Sequence, residues 1–179
     1  MKSLFLVSLL AALSFTTAGF AAGSDDTAPP VKTETTTECK DGQVWDEKRA
    51  ECVNPVQGSL SDDTIFKAAR ELAYDGQYEN ALKVLAVAEN PDDPRILNYK
   101  GFANRKAGRM EEGMAYYQAA LKIDPDYILA RSYMGQALLA EGDILGARDQ
   151  LAEIEARGGR DTWAYAALEQ ALLGNETTW

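Results

Sequence analysis

The sequence predicts an all-α protein, a solenoid of stacked helical hairpins closed by a single C-terminal helix, and three observations carry that expectation. From Ser61 onward the composition changes to Ala, Leu, Glu, Arg and Tyr, with apolar residues at helical spacing. Glycines punctuate this region at Gly76, Gly108, Gly142 and Gly174, separated by 32, 34 and 32 residues. Between two of them, residues 94–127 show the unit most clearly. Leu97, Phe102, Ala103 and Ala107 mark one helix; Met114, Tyr117, Ala120 and Leu121 mark the next; Asp124 and Pro125 close the unit. Self-similarity at this period means hairpins that bury their apolar faces against neighbours, because none can do so alone.

Before the solenoid the chain divides into four short stretches. Residues 1–23 begin Met1 and Lys2, run apolar from Leu4 to Leu13, and end in small residues at Ala18, Gly19, Ala21, Ala22 and Gly23. A charged start, an apolar run too short to span a bilayer and a small-residue zone predict a secretory signal peptide, cut after Ala21 or Gly23. An uncleaved anchor is the alternative, and no other segment could then hold the chain in a membrane. No cysteine follows closely enough for a lipoprotein anchor. Removal takes only Lys2 among the charges, so the formal −10 becomes −11. Residues 24–38 have almost nothing to bury and contain Pro29 and Pro30, which predicts a disordered linker.

Cys39 and Cys52 are the only cysteines. In an exported chain two cysteines form one disulfide, here closing a hairpin over 39–53 with Asp41 and Gly42 as a turn and Trp45 as its large apolar residue. A loop of this length is stabilised by about 3 kcal/mol in the chain-entropy model. Two sulfurs without histidine do not complete a metal shell. Asn54, Pro55, Gly58 and Ser59 mark a linker over 54–60. The spacing of Cys39, Gly42, Trp45, Asp46 and Cys52 resembles one part of the peritrophin-type chitin-binding module, although that family's remaining cysteines are missing. The resemblance implies Trp45 as a glycan contact. The residues themselves imply a stapled hairpin whose Trp45 packs on itself or on neighbouring helices.

The domain over 61–175 divides into repeats 62–93, 94–127 and 128–161 and a capping helix over 162–173. The central repeat sets Leu97 at a large position, Gly101 at a small crossing position, Gly108 at the turn, and Tyr117, Ala120 and Leu121 on the second helix. Repeat 62–93 carries Ala68, Ala69, Leu72, Gly76, Tyr78, Ala81, Leu85 and Ala88; repeat 128–161 carries Met134, Gly135, Leu138, Gly142, Ala147, Leu151 and Ile154. This pattern resembles the tetratricopeptide repeat over about 100 of the 179 residues. It departs at Lys100 and Asn104, where apolar residues are usual, at Gly113 in place of alanine, and in the closing proline, displaced to Pro91 in the first repeat and lost in the third. The resemblance implies a right-handed superhelix. Small residues such as Ala69, Gly101 and Gly135 let helices cross closely while Tyr78, Tyr117 and Leu151 fill the space beside them. Asp161 is expected to N-cap the last helix, with Trp163, Ala166, Ala167 and Gln170 suited to an end cap. Trp179 either folds back or serves as a docking tag.

Chemistry is sparse. There is no histidine, which removes the commonest general base and metal ligand, and no nucleophile–base pair or phosphate loop is present. Glu111 and Glu112 open a second helix, where carboxylates suit the positive end of the dipole. The acidic balance disfavours nucleic acid. No cofactor is expected. The resemblance instead implies work through a concave groove lined by first helices: Phe66, Arg70, Ala73 and Tyr74 from the first repeat, Arg95, Asn98, Tyr99, Phe102, Arg105 and Lys106 from the second, Leu129, Ser132, Tyr133, Gln136 and Leu139 from the third. Arginines and aromatics together are enriched at binding hot spots. An extended peptide or partner helix is the expected ligand, with Arg70, Arg95 and Arg105 meeting carboxylates and Asn98 pairing with amides. The alternative is a solvated groove whose arginines pair with acids such as Glu71. Phe66 and Tyr133 stand where two groups of a family carboxylate clamp would be, so that clamp is not expected. Alanine at Arg70, Asn98 and Arg105 together is expected to weaken partner capture with little loss of melting temperature. The sequence therefore predicts an exported, non-catalytic interaction scaffold of the bacterial periplasm, with an extracellular location as the alternative. A glycan- or envelope-binding protein using Trp45 is the second class, and an enzyme working through carboxylates the third.

Overall fold

In the computed structural model, residues 30–56 and 58–175 are described; the expected signal peptide, the first part of the linker and Trp179 lie outside them. A short helix α1 (Glu34–Thr37) and a hairpin of β1 (Val44–Asp46) and β2 (Glu51–Val53) precede seven longer helices. These are α2 (Asp62–Tyr74), α3 (Tyr78–Leu85), α4 (Pro94–Lys106), α5 (Met110–Ile123), α6 (Ile128–Ala140), α7 (Ile144–Ala156) and α8 (Trp163–Leu172). Helices pair as α2 with α3, α4 with α5 and α6 with α7, and the first helices α2, α4, α6 and α8 also pack in succession. The result is the stacked-helix array the period predicts, with α8 standing as a helix without a hairpin partner among the described residues.

The glycine turns are what make the hairpins. Gly76, Gly108, Gly142 and Gly174 all have φ between 79° and 84°, the left-handed region that a side chain disfavours. At each, the following N–H reaches five residues back, as from Arg109 to the Asn104 carbonyl at 2.9 Å and from Asp143 to the Leu138 carbonyl at 2.8 Å. This bond closes the helix end and reverses the chain. Gly158, a fifth such position with φ 72°, ends α7. Some starts are capped by side chains: Asp93 accepts from Arg95 N–H with Pro94 in the first turn, and Asp143 accepts from Gly146 N–H, whereas α3, α5 and α6 have no side-chain cap. At α8 the cap is Thr162, which accepts from Tyr165 N–H, and not Asp161. Thr162 is the last residue with extended backbone, so only its hydroxyl can reach the free N–H groups.

The two departures from the apolar pattern of α4 have a packing explanation. Asn104, nearly buried, donates to the Lys100 carbonyl at 2.8 Å and accepts from Arg109 Nε at 2.6 Å, while Arg109 reaches on to Glu79 of α3. One amide thus ties the α4–α5 turn to the preceding repeat. Lys100 lays its ammonium over the Tyr116 ring at 6.0 Å, and burial lowers its pKa. Gly113 lets the Gly101 carbonyl approach: a Cβ there would lie 3.0 Å from that oxygen. The short α3 is compensated at its far end, where the Asp62 carboxylate accepts from Glu89 N–H and Asn90 N–H, both at 2.8 Å.

The linker expected through residue 38 ends earlier. Thr33 caps α1, and its N–H and hydroxyl both donate to the Glu71 carboxylate at 2.6 Å, joined by the Thr36 hydroxyl. Lys32 pairs with Asp75. The segment has little apolar surface, as the composition indicates, yet it folds because a carboxylate on α2 that is 5% exposed needs its hydroxyls. Cys39 and Cys52 are disulfide-bonded. The anchor of this knob is Val44, 1% exposed, rather than Trp45, which is half-buried. Asp41 and Gly42 do form a turn, with Gly42 against Asn80 of α3. The hairpin reversal itself lies at residues 47–50, where Asp46 accepts from Lys48 and Arg49 N–H and Ala50 takes φ 52°. The knob covers the open end of the first repeat in the way a preceding repeat would.

Two outcomes follow for this end of the molecule. Glu71→Ala removes the acceptor of three hydrogen bonds and is expected to cost about 1.5–3 kcal/mol, read from chemical unfolding. Replacing Cys39 and Cys52 by serine is expected to cost up to about 3 kcal/mol, with faster amide exchange confined to residues 33–53 and α2. Protection unchanged in that segment would show that docking on α2, and not the disulfide, holds the knob.

Candidate functional site

The first helices bring one aromatic residue each into a continuous row. Tyr74 of α2 stacks on Phe102 of α4 with centroids 5.5 Å apart and planes at 6°. Phe102 meets Tyr133 of α6 at 4.9 Å, and Tyr133 meets Trp163 of α8 at 6.4 Å. Beneath the row, Phe66 and Tyr99 join through edge contacts at 5.6 Å and 6.2 Å. Each pair contributes about 0.5–1.5 kcal/mol beyond its buried area. The two central rings are buried, whereas Tyr74 and Trp163 at the ends are half-exposed. Hydroxyls stitch the row together: Tyr74 and Tyr133 share a hydrogen bond of 2.7 Å, and Arg70 Nε donates to Tyr99 at 3.0 Å. Burial, reinforced by Tyr99 and Tyr74, holds the Tyr133 phenol well above its ordinary pKa, so it stays a neutral hydroxyl.

Three cations lie on this aromatic floor, the buried Arg70 at 5.9 Å from the Tyr74 centroid and two at the row's centre. The Arg105 guanidinium sits 5.5 Å from the Phe102 centroid and 6.0 Å from that of Tyr133, and the Lys106 ammonium sits 5.7 Å from Phe102. Arg105 Nε donates to the Tyr117 hydroxyl at 3.3 Å. Burial raises the pKa of that phenol against the opposing pull of Arg105. Burial, then the neighbouring Arg105 charge, pushes Lys106 down.

The residues expected to line a groove are placed as follows. Phe66, Asn98, Phe102 and Tyr133 have at most 1% of their surface exposed, which leaves a partner nothing to touch. Arg70 and Gln136 are nearly as deep. Asn98 donates to the Tyr127 hydroxyl at 3.4 Å, and Gln136 donates to Ser132, whose hydroxyl binds the Ala164 carbonyl at 2.7 Å. Arg95 pairs with Asp93 at 2.8 Å and Asp63 at 3.2 Å, over the Phe66 ring at 4.9 Å. It lies at the other end of α4 from Arg105. The accessible part of the face is therefore Tyr74, Arg105 and Lys106 at one end and the acid-paired Arg95 at the other, with Trp163 added from the capping helix. The register pointed to Lys106 but gave no sign that Trp163 completes the row. Removing Arg70 or Asn98 would cost stability, so alanine at these positions does not separate binding from folding.

A second cleft lies at the N-terminal end of the array. Between the disulfide knob and α2 runs a cleft of about 510 Å³. Trp45, Leu60 and Ala68 give its apolar side; Thr64, Asp63 and Lys67 give part of its polar side. Among the described residues no group of His, Cys, Asp and Glu is arranged to hold a metal, and no helix is long and apolar enough to cross a membrane.

Comparison with protein families gives two matches, both to models of the tetratricopeptide repeat, over residues 66–128 and 104–172. No catalytic family is matched. Among curated proteins nothing matches the chain.

Proposed function

Since the chain belongs to the tetratricopeptide repeat family, we propose that it is a non-catalytic protein–protein interaction scaffold of the bacterial periplasm that holds a peptide or partner helix against the face of its first helices. The accessible ends of the aromatic row, Tyr74 and Trp163, with Arg105 and Lys106 between them carry this reading, since rigid aromatics beside cations are what binding hot spots use. The signal-like residues 1–23 and the Cys39–Cys52 disulfide support export to an oxidising compartment. The test is capture from envelope extracts by the immobilised mature protein, with crosslinking and mass spectrometry. Capture is expected to fall several-fold in a Trp163→Ala, Lys106→Gln variant that keeps its unfolding midpoint. Full capture by that variant would overturn the reading.

The Trp45 cleft supports a second reading, a glycan- or envelope-binding protein. An aromatic face bordered by hydroxyls and carboxylates suits a sugar ring, whose apolar face stacks while its hydroxyls pair. Retention on insoluble peptidoglycan or chitin that disappears in Trp45→Ala would favour it, and no retention by the wild-type protein would remove it.

A further inference from the structure

Arg105 and Lys106 are adjacent cations on the aromatic row, and they contrast with several arginines of the array. Arg95, Arg109, Arg131 and Arg157 each pair with carboxylates within the chain. Among the described residues no carboxylate pairs with Arg105 or Lys106, although the protein carries 28 acids against 18 bases and an acid would be easy to supply. The Arg105 Nη2 is buried without a hydrogen-bond partner, a condition that burial of a charged donor makes costly. The adjacent ammonium is also partly desolvated and faces a like charge. Two neighbouring cations, one with an orphaned N–H, gain from an anion that the chain itself does not provide.

The surroundings select which anion. Arg105 lies over the two central rings of the row, Phe102 and Tyr133, and half-exposed aromatics continue on either side, Tyr74 toward α2 and Trp163 toward α8. A ligand seated on the cations can therefore extend both ways over apolar surface, which suits an internal residue of a peptide and leaves one flank idle for a chain terminus. Lys106 is the last residue of α4, so the negative end of the helix dipole lies beside the site and weighs against a dianion. Stripping water from a phosphate is also costlier than from a carboxylate.

We propose that Arg105 and Lys106 form a carboxylate-binding site that takes an internal Asp or Glu side chain of a partner peptide, flanked on both sides by aromatic or aliphatic residues that pack on Tyr74 and Trp163. The site rests on the scaffold reading and names the chemistry of its partner. A guanidinium and a carboxylate pair through two parallel N–H···O bonds, so binding turns Arg105 toward the ligand and satisfies the Nη2 donor.

The test uses the full mature protein and three fluorescent peptides: Leu-Phe-Glu-Phe-Leu blocked at both ends, its Gln counterpart, and Leu-Phe-Gln-Phe-Leu with a free C-terminal carboxylate. The blocked Glu peptide is expected to bind at least about tenfold more tightly than the other two, to weaken as salt rises, and to be displaced by acetate before phosphate at equal ionic strength. Lys106→Gln and Arg105→Gln, each checked for an unchanged unfolding midpoint, are expected to erase that preference; if Arg105→Gln fails to fold, Lys106→Gln and the salt dependence decide. Preference for the free terminus, or equal binding of the Glu and Gln peptides, overturns the proposal. An envelope partner still captured through Trp163 but indifferent to both cation variants overturns this site while leaving the scaffold reading in place.

Discussion

Tyr133→Ala is expected to destabilise the protein by about 3–5 kcal/mol, the cost of removing a buried aromatic and leaving a cavity that helices cannot close. Tyr133 is fully buried and touches rings on three other helices, Tyr99 and Phe102 of α4, Tyr117 of α5 and Trp163 of α8. Its loss therefore removes contacts between repeats, and a repeat array depends on those interfaces for its cooperativity. Tyr133→Phe keeps the volume and loses the bond to the Tyr74 hydroxyl, so about 1 kcal/mol is expected. Urea unfolding followed by circular dichroism measures both. A Tyr133→Ala protein that unfolded like wild type while failing to capture its partner would make the ring a recognition element and not a core element.

The second large effect is expected at the α4–α5 crossing. A Cβ at Gly101 would lie 2.6 Å from Tyr117 Cε1 and 3.1 Å from the Gly113 carbonyl. Tyr117 is fully buried and tied to Arg105, so it has little room to move. Gly101→Ala is expected to be destabilising by about 1–3 kcal/mol from overpacking, more than the roughly 1 kcal/mol of helix propensity it gains. At Gly135 the obstacle is the far end of Leu168, whose Cδ2 would lie 2.6 Å away. That side chain can change rotamer, so Gly135→Ala is expected to come out near neutral. Thermal melts of the two alanine variants test the order. Equal melting temperatures would mean that the α4–α5 hairpin opens enough to admit a methyl group.

What the sequence determined by itself is the part written in local interactions and their repetition. Gly76, Gly108, Gly142 and Gly174 were legible as turns because positive φ is a property of one residue and its helix end. Gly101 and Gly135 were legible as crossing points because a small residue at a fixed place in a periodic pattern has a single packing consequence. The pairing of Cys39 with Cys52 needed only a count of cysteines and the expectation of an oxidising compartment. Tertiary structure decided the rest. Thr33 and Thr36 read as linker because their partner, Glu71, lies 38 and 35 residues away, beyond any local pattern. Lys100 and Asn104 read as faults in an apolar face until Tyr116 and Arg109 came beside them.

The groove shows the same division most sharply. Register identified which residues point to the shared face of the first helices, yet it could not tell whether that face stays open. The answer depends on how closely α2, α4, α6 and α8 approach one another, and on side-chain volume summed across four helices. Here Phe102, Tyr133 and their neighbours are large enough to fill the face from within. They leave part of Arg105, Lys106 and the two end aromatics at the surface, because close packing buries the central rings completely while the longer charged side chains at the helix end keep some of their surface in water.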